Sequence, residues 1–185
     1  VSSIEHKSVL AAAYAASEQY KLTVEQLPVD HNGTIRLDIL EQRLAPDVLL
    51  VSIMTVNNEI GTIQPIKEAS VLCRKVGALL HTDAAQALTA IPINVSELDV
   101  DFLSLSAHKL YGPKGIGALF IRRDVQRLHK PLIYGGGQQN GLRAGTLPVP
   151  LCVGFGAAIE LVTSSDASFE REQVRVLRDQ LIEHL

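Results

Sequence analysis

The sequence predicts an α/β fold built on a mixed, mostly parallel sheet with helices on both faces. Short apolar or β-branched runs alternate with helix-length amphipathic segments as far as Arg122, a pattern typical of parallel βαβ units. The run Val48–Met54 is apolar, as expected for a strand that is covered on both faces. The 185 residues fit one domain, or one domain and a piece of a second, and 46% of them are hydrophobic. A sizeable core is therefore expected.

The strands are predicted from short runs of apolar or β-branched residues between polar turns. The turn His31-Asn32-Gly33 separates an extended segment, Leu22–Val29, from the helix that follows. The last strand comes after a loop rich in glycine and lysine, Ser106–Gly117. The predicted strands are Val1–Ile4, as the end of a strand, and then Val48–Met54, Ala78–His81, Phe102–Leu105 and Ala118–Arg122.

The helices are predicted from apolar stripes at helical spacing and from their end signals. The first carries an alanine-rich stripe, Pro46 lies just beyond the second, and Ser164-Ser165-Asp166 provide capping residues before the last. Two glycine-rich stretches, Gly135–Gly137 and Gly141–Gly145, form a flexible excursion before Pro148 and Pro150 open a helix. The predicted helices are His6–Lys21, Leu37–Leu44, Ile66–Val76, a stretch from Ala84 to Leu88, Leu151–Val162 and Phe169–Leu185.

Composition and charge exclude several classes of function. The net charge of -3 gives no sign of a nucleic-acid partner, and no apolar run approaches the roughly 20 residues that span a bilayer. Cys73 and Cys152 both lie in apolar helical patterns, which predicts buried thiols in a reducing compartment. The first residues lack the features of a secretion signal. We expect a cytoplasmic protein, or a mitochondrial one if the source is eukaryotic.

Polar side chains follow four of the predicted strands, where each strand ends. His6 follows the first, Asn58 the second, Asp83 the third, and the segment Ser106–Lys109 the fourth. Open parallel sheets bind ligands just outside the carboxyl ends of their strands. The repeated placement therefore predicts one shared cleft.

These side chains match the needs of pyridoxal 5'-phosphate (PLP). Alone, Lys109 would most often be a solvated charge and Asp83 a helix N-cap. PLP requires a lysine for its Schiff base, an acid against its pyridine nitrogen, donors for its phosphate and hydrogen bonds to its ring hydroxyl. Lys109 could form the Schiff base, and Asp83 could face the pyridine nitrogen. Ser106 with His108 could donate to the phosphate, and Gln86 with Asn58 could bond the ring hydroxyl.

Several of these residues have a second interpretation. His6 could lie over the cofactor ring or cap its helix, and His108 could bind phosphate or close a turn. His81, Asp83 and His108 could also be metal ligands, but the sequence lacks a Cys pair or a His-x-x-x-His spacing, so no metal is expected. Gly112–Gly115 resembles a phosphate loop only superficially, because the Gly-Lys-Ser/Thr ending is missing.

Five segments, in the same order and spacing, resemble cysteine desulfurases of the NifS/IscS type, which are class V aminotransferase-like PLP enzymes of fold-type I. Any one motif would be weak evidence, but the resemblance covers nearly all of residues 1–162. The segments are Ser3–Lys7, Val56–Gly61, His81–Gln86, Ser106–Gly115, and Gly135–Gln139 with Leu142–Thr146.

The resemblance implies a role for each matched residue. Lys109 would be the Schiff-base lysine and Asp83 the partner of the pyridinium. His6 would stack on the ring and help to move protons. Gln86 would bond the ring hydroxyl, and Asn58 would lie near the ring hydroxyl and the substrate carboxylate. Ser106 and His108 would hold the phosphate, and Thr146 would reach the phosphate of a partner subunit in a homodimer.

The same resemblance implies a reaction and a domain layout. L-cysteine would be converted to L-alanine, and its sulfur would pass through an enzyme persulfide to an iron–sulfur scaffold or another acceptor protein. Residues 1–163 would be the central part of the PLP-binding large domain, and residues 164–185 would begin a small domain. The nucleophilic cysteine of the family would lie beyond Leu185, so this chain alone is expected to be inactive.

Two alternatives stay open at this point. One is a selenocysteine lyase or another class V PLP enzyme, which would differ in the cysteine loop. The other is a non-catalytic protein that keeps the fold for dimerisation or for docking sulfur-transfer partners. Retention of Lys109, Asp83, Gln86 and His108 argues against the second, because a structural role would not require that set.

Overall fold

The computed structural model describes residues 1–185 and contains one four-stranded sheet with six α-helices. The strands are β1 (Leu50–Ser52), β2 (Leu79–Asp83), β3 (Phe102–Ser106) and β4 (Gly117–Ile121). The helices are α1 (Lys7–Tyr20), α2 (Leu37–Arg43), α3 (Ile66–Val76), α4 (Val95–Leu98), α5 (Val149–Thr163) and α6 (Ser165–Glu183). Three short 3-10 helices complete it at Ala107–Leu110, Gln126–Leu128 and Gln138–Gly141.

The sheet has the order β1-β2-β3-β4, with β1, β2 and β3 parallel and β4 antiparallel to β3. Asp83 pairs with Ser104, so these two residues lie side by side where the parallel strands approach their carboxyl ends. The alternation along β2 buries Leu80 and Thr82 and leaves Leu79, His81 and Asp83 half-buried on the opposite face. The predicted fold class, mixed and mostly parallel, is confirmed.

The main core lies between the sheet and the helices that precede and follow β1. Its members are apolar side chains from α2, α3 and the strands, including Leu40, Ile66, Cys73, Leu80 and Leu103. A second apolar cluster packs α5 against the 3-10 helix Ala107–Leu110. Helix α5 therefore packs against the segment that follows β3 and helps to hold it in place.

None of the residues of helix α6 is buried, which is also true of α1 and α4. Helix α6 follows α5 after a break at Ser164, whose side chain accepts the Ala167 N–H, and the axes of the two helices differ by 64°. No single helix is long and apolar enough to cross a membrane. Helices α5 and α6 together have the length and composition of a membrane span, but they are bent by 64° at the break between them.

Two predicted elements are wrong. Val1–Ile4 is not a strand: only Ser2 forms a bridge, to Leu27, and the Glu5 N–H then bonds back to the Ser2 carbonyl and turns the chain towards α1. The stretch after Asp83 is not a helix but a series of turns. Its Ala87 N–H donates to the Ala84 carbonyl (3.0 Å), and Pro92, which has no N–H, soon follows.

Other elements exist where they were predicted but differ in extent. The ladder of β1 covers only Leu50–Ser52, although the backbone N–H groups of Ile53 and Thr55 continue to bond to β2. Helix α6 begins at Ser165 rather than Phe169, because Ser164 rather than a later residue provides the cap. Helix α4 was not predicted. It is a single turn capped by Asn94, too short for a periodic pattern.

Candidate active site

A cavity of about 480 Å³ lies at the carboxyl ends of β1, β2 and β3. It brings together residues from the start of α1, the loop after β1, the turns after β2 and the segment after β3. Seven of the eight predicted site residues line it: His6, Asn58, Asp83, Gln86, Ser106, His108 and Lys109. The predicted shared cleft therefore exists as one cavity.

Thr146 is the exception. It lies in the glycine-rich segment before α5, is exposed, and does not line the cavity of its own chain. This placement leaves its predicted contact with a partner subunit as a prediction.

Asp83 is the last residue of β2 and stands half-buried in the cavity wall. Its Oδ1 accepts the backbone N–H of Ala85 at 2.9 Å. The bond closes a turn and does not cap a helix, because no helix follows. The carboxylate is thus fixed in direction by the backbone and remains on the cavity.

Lys109 lies at the cavity edge in the 3-10 helix that directly follows β3, and its side chain is exposed. The segment that carries it is closed at its base by the pairing of Ser106 with Gly117 and by the Ala107 N–H, which donates to the Ile116 carbonyl (3.2 Å). A side chain on Gly117 would place its Cβ 2.6 Å from the Leu105 carbonyl oxygen. Only glycine therefore permits this closure.

His6 has two roles in the structure: it caps α1 and it lines the cavity. Its Nδ1 accepts the backbone N–H of Ser8 at 3.2 Å and lies 2.7 Å from the Ser8 hydroxyl. A backbone amide can only donate, so Nδ1 carries no proton in this arrangement. In the neutral ring the proton is therefore on Nε2, which is the nitrogen left for other partners.

Ser106 and His108 form a hydrogen-bonded pair on the cavity wall. The Ser106 hydroxyl lies 2.9 Å from His108 Nδ1, at the point where β3 passes into the 3-10 helix. One hydroxyl and one imidazole on a shared wall are suitable donors for an anionic group.

Ser104, which was not predicted as a site residue, lines the cavity beside Asp83. Its signal was the two-residue period of β3, because Ser104 and Ser106 face the same side. Ser104 belongs to a chain of hydrogen bonds across three strands: Ser52 Oγ to His81 Nδ1 (2.7 Å), and His81 Nε2 to Ser104 Oγ (2.9 Å).

Burial lowers the pKa of His81, against the opposing effect of the Asp83 charge. Both ring nitrogens of His81 are also engaged by serine hydroxyls. The structure contains no cluster of three or more His, Cys, Asp or Glu side chains that could hold a metal ion.

The two cysteines differ in burial, so the prediction of two buried thiols is only half correct. Cys73 is fully buried in the main core, and burial raises the pKa of its thiol to about 11. Cys152, on α5, is only half-buried because α5 turns part of its surface outward. Neither thiol lines the cavity.

Glu5 is a second residue that the sequence did not reveal. Its side chain is buried, at 6% exposure, and Oε1 accepts the backbone N–H of Met54 at 2.5 Å. Oε2 has no hydrogen-bond partner. Burial raises the pKa of Glu5 to about 7; the Met54 N–H opposes the rise and the negative charge of Asp83 adds to it.

This shift predicts a pH-dependent stability that Glu5→Gln should remove. Below Glu5's ordinary pKa of 4.5 both the folded and unfolded states hold the proton. As pH rises to about 7 the unfolded state releases it first, so stability is lost across that window. We expect the free energy of unfolding of the wild type, relative to Glu5→Gln, to fall by about 3 kcal/mol between pH 4.5 and pH 8.

Urea unfolding of both proteins across this pH range measures the difference. The matched control is Glu18→Gln, a change at an exposed residue of α1. Its stability relative to the wild type should stay flat with pH. A flat difference for Glu5→Gln as well would contradict the assignment.

The fold and the cavity define an α/β protein with a ligand site at the carboxyl ends of parallel strands. The aminotransferase class-V family model matches residues 1–185. The chain belongs to the aminotransferase class-V family.

The relatives agree with the resemblance seen in the sequence, which is confirmed. The chain is 48% identical over 181 residues to a mitochondrial cysteine desulfurase of Eremothecium gossypii, covering 98% of this chain and 36% of that protein. It is 47% identical over 182 residues to cysteine desulfurase IscS of Rickettsia typhi, covering 98% of this chain and 44% of that protein.

A solved structure described as a NifS-like protein superposes with a TM-score of 0.91 at 41% identity. The match covers 97% of this chain and 49% of that one. The chain thus spans less than half the length of these relatives.

Proposed function

We propose that this chain is the PLP-binding part of a cysteine desulfurase, which converts L-cysteine to L-alanine and passes the sulfur to a protein thiol as a persulfide. The observation that carries the proposal is that Lys109 and Asp83, an amine and a carboxylate, reach one cavity from adjacent strands. Relatives named cysteine desulfurase support the substrate.

The donor set of the cavity fits PLP. Lys109 would form the covalent link, and Asp83 would face the pyridine nitrogen. Ser106 and His108 would hold the phosphate, and Gln86 and Asn58 would bond the ring hydroxyl. When bound, PLP supplies an electron sink for the substrate's α-carbon.

The chain's own residues would orient the ligand and hold protons. Asp83, fixed by the Ala85 N–H, would keep its negative charge directed at one site in the cavity. Nε2 of His6 would be the nitrogen that gives up or takes up a proton, because Nδ1 is already engaged by Ser8. The Lys109 amine stands at the cavity edge, where a substrate amine can approach it.

The thiol that accepts the sulfur is, in this proposal, neither cysteine of the chain. The thiolate is the form that attacks sulfur, and the raised pKa of Cys73 disfavours it. Cys152 lies on α5, outside the cavity. The persulfide sulfur would then pass to an iron–sulfur scaffold or another acceptor protein, in the cytoplasm or in a mitochondrion.

The domain layout belongs to the same proposal. Residues 1–163 would be the central part of the PLP-binding large domain and residues 164–185 the start of a small domain. The break at Ser164 and the absence of buried residues in α6 support a boundary at this place.

The direct test is to purify the full-length protein of which this chain would be the PLP-binding part, reduce it with borohydride and locate PLP by peptide mass, while L-alanine is measured after addition of L-cysteine. We expect PLP on the peptide that contains Lys109, and one L-alanine for each sulfur transferred. Protein that binds no PLP when it is supplied would refute the proposal.

Asp83→Asn should keep part of the PLP but lower the turnover number about a hundredfold. An amide has the shape of the carboxylate without the charge that would hold the ring nitrogen protonated. PLP content and the rate of L-alanine formation measure the two effects, with Asp47→Asn on the surface as control. Unchanged turnover would remove Asp83 from this role.

We also propose that the protein acts as a homodimer in which Thr146 reaches the partner's phosphate site. Large apolar side chains stand exposed around the glycine-rich segment, among them Leu132 (95%), Tyr134 (79%) and Val149 (63%). Surface of this kind marks an interaction site. A second copy would cover it.

Thr146→Ala should then weaken PLP affinity about fivefold in the dimer, the effect of one lost hydrogen bond. PLP titrations above and below the protein concentration at which the dimer dissociates would separate the two states. Equal weakening in both states would argue against a contact between subunits.

A further inference from the structure

The backbone on the N-terminal side of His6 is tied to the segment after β1 by two side chains. The Glu5 carboxyl accepts the Met54 N–H (2.5 Å), and the Asn57 side-chain amide donates to the Ile4 carbonyl (3.1 Å). Met54 itself lines the cavity, as does His6. The position of His6 over the cavity is therefore set by contacts with the end of β1, before helix α1 begins.

On the other side, His6 is held by its own helix. Ser8 donates its backbone N–H to the ring and places its hydroxyl 2.7 Å from the same nitrogen. These bonds fix the ring relative to α1, but they do not fix α1 relative to the sheet. No residue of α1 is buried, so the helix has little packing of its own to settle its place. The link between His6 and the cavity thus depends on the segment before His6, where Glu5 and Asn57 add to the backbone bond from the Ser2 N–H to the Ser52 carbonyl (2.9 Å).

Of these two residues, Glu5 occupies its position at a cost in stability. A buried carboxyl oxygen without a partner, here Oε2, is unfavourable. Glutamine would offer the same acceptor to Met54 without an ionisable group. Titratable groups that are buried at such a cost beside a cavity are candidates for a functional role.

We infer that Glu5 is a positioning residue for the proposed reaction: it seats the His6 ring over the bound PLP by clamping the Ile4–His6 segment to the end of β1. The inference rests on the proposed function. Glu5 does not line the cavity and touches no ligand there, so it acts through His6.

Glu5 performs this role best without charge. Its pKa of about 7 keeps a large fraction of the carboxyl protonated near neutral pH. A charged Glu5 would repel the Asp83 carboxylate, whose charge already opposes ionisation of Glu5. Two neighbouring carboxyl groups with unlike surroundings can divide the charged and neutral roles in this way.

A double-mutant cycle on the purified protein tests the inference. Glu5→Met keeps the volume and removes the acceptor for Met54, and His6→Ala removes the ring that Glu5 is proposed to seat. The dissociation constant of PLP is measured by titration for the wild type, both single variants and the double variant. This readout does not depend on turnover.

We expect Glu5→Met to weaken PLP binding about tenfold in the wild-type background and less than about twofold in the His6→Ala background. Equal weakening in both backgrounds would show that Glu5 does not act through His6, and would overturn the inference. Wild-type protein that binds no PLP would refute the proposed function, and this inference with it.

Glu5→Gln is the rescue variant and covers the case in which Glu5→Met fails to fold. It retains the acceptor for the Met54 N–H, so its PLP affinity should stay within about twofold of the wild type. The ring resonances of labelled His6 should also be unchanged. If Glu5→Gln folds but loses as much affinity as His6→Ala, the clamp is not what Glu5 provides.

Discussion

Replacing Lys109 with alanine should abolish covalent retention of PLP and lower the rate of L-alanine formation by at least about a thousandfold. In the proposed function the amine is the only group of the cavity that can both link to the aldehyde and exchange for a substrate amine. The cavity is lined by no other lysine. Borohydride reduction followed by peptide mass, together with the L-alanine assay, measures both losses.

The matched control is Lys114→Ala. Lys114 is exposed, lies on the same segment between β3 and β4, and does not line the cavity. PLP content and turnover of this variant should stay within about twofold of the wild type, because a surface lysine contributes little. Full activity of Lys109→Ala, or an equal loss in both variants, would contradict the assignment of Lys109.

Replacing Asp101 with alanine should lower the free energy of unfolding by about 3 kcal/mol. Asp101 is completely buried, and its Oδ2 accepts the backbone N–H of Leu80 (2.7 Å) and the Arg74 guanidinium (2.8 Å). Oδ1 lies 2.8 Å from Arg122 Nη2, an ion-pair distance, although it makes no hydrogen bond of good geometry. The side chain thus joins α3, β2 and the end of β4.

The loss arises because the Leu80 N–H would lose its acceptor inside the core and two arginines would lose a buried partner, although both keep the exposed Asp99. Both arginines are about 30% exposed, so water can take over part of the role, and the cost stays at the lower end of the range for buried pairs. Urea unfolding measures the change. Asp124→Ala, which removes the exposed partner of Arg122 at 2.7 Å, should cost less than about 0.5 kcal/mol. Similar costs for the two variants would contradict the role of Asp101.

Much of the sheet could be predicted because each strand is indicated by the residues of a short stretch of sequence. Runs such as Phe102–Leu105 are mostly apolar and are bounded by polar turns, which a few residues are enough to show. The meeting of Asn58, Asp83 and Lys109 in one cavity followed from a general property of parallel sheets, whose carboxyl ends share an edge. These residues did not need to be close in sequence for their proximity to be inferred.

Glu5, His81 and Asp101 could not be recognised in the same way. Each is an ionisable residue, and such residues are usually on the surface. Their burial depends on partners distant in the chain: Met54 for Glu5, Ser52 for His81 and Arg122 for Asp101. The error after Asp83 has a similar origin. Ala84–Leu88 has helical composition, but Ala84 and Ala87 pack into the main core while Leu88 packs into the second cluster, and a series of turns allows both contacts.

The segment that carries Lys109 is closed at its base, so its backbone is ordered before a ligand binds. The backbone of this segment is held between two strands, which limits its mobility. The entropy of ordering this segment is spent during folding rather than during binding. In the proposed function, an aldehyde entering the cavity would therefore meet a lysine carried on backbone that is already ordered.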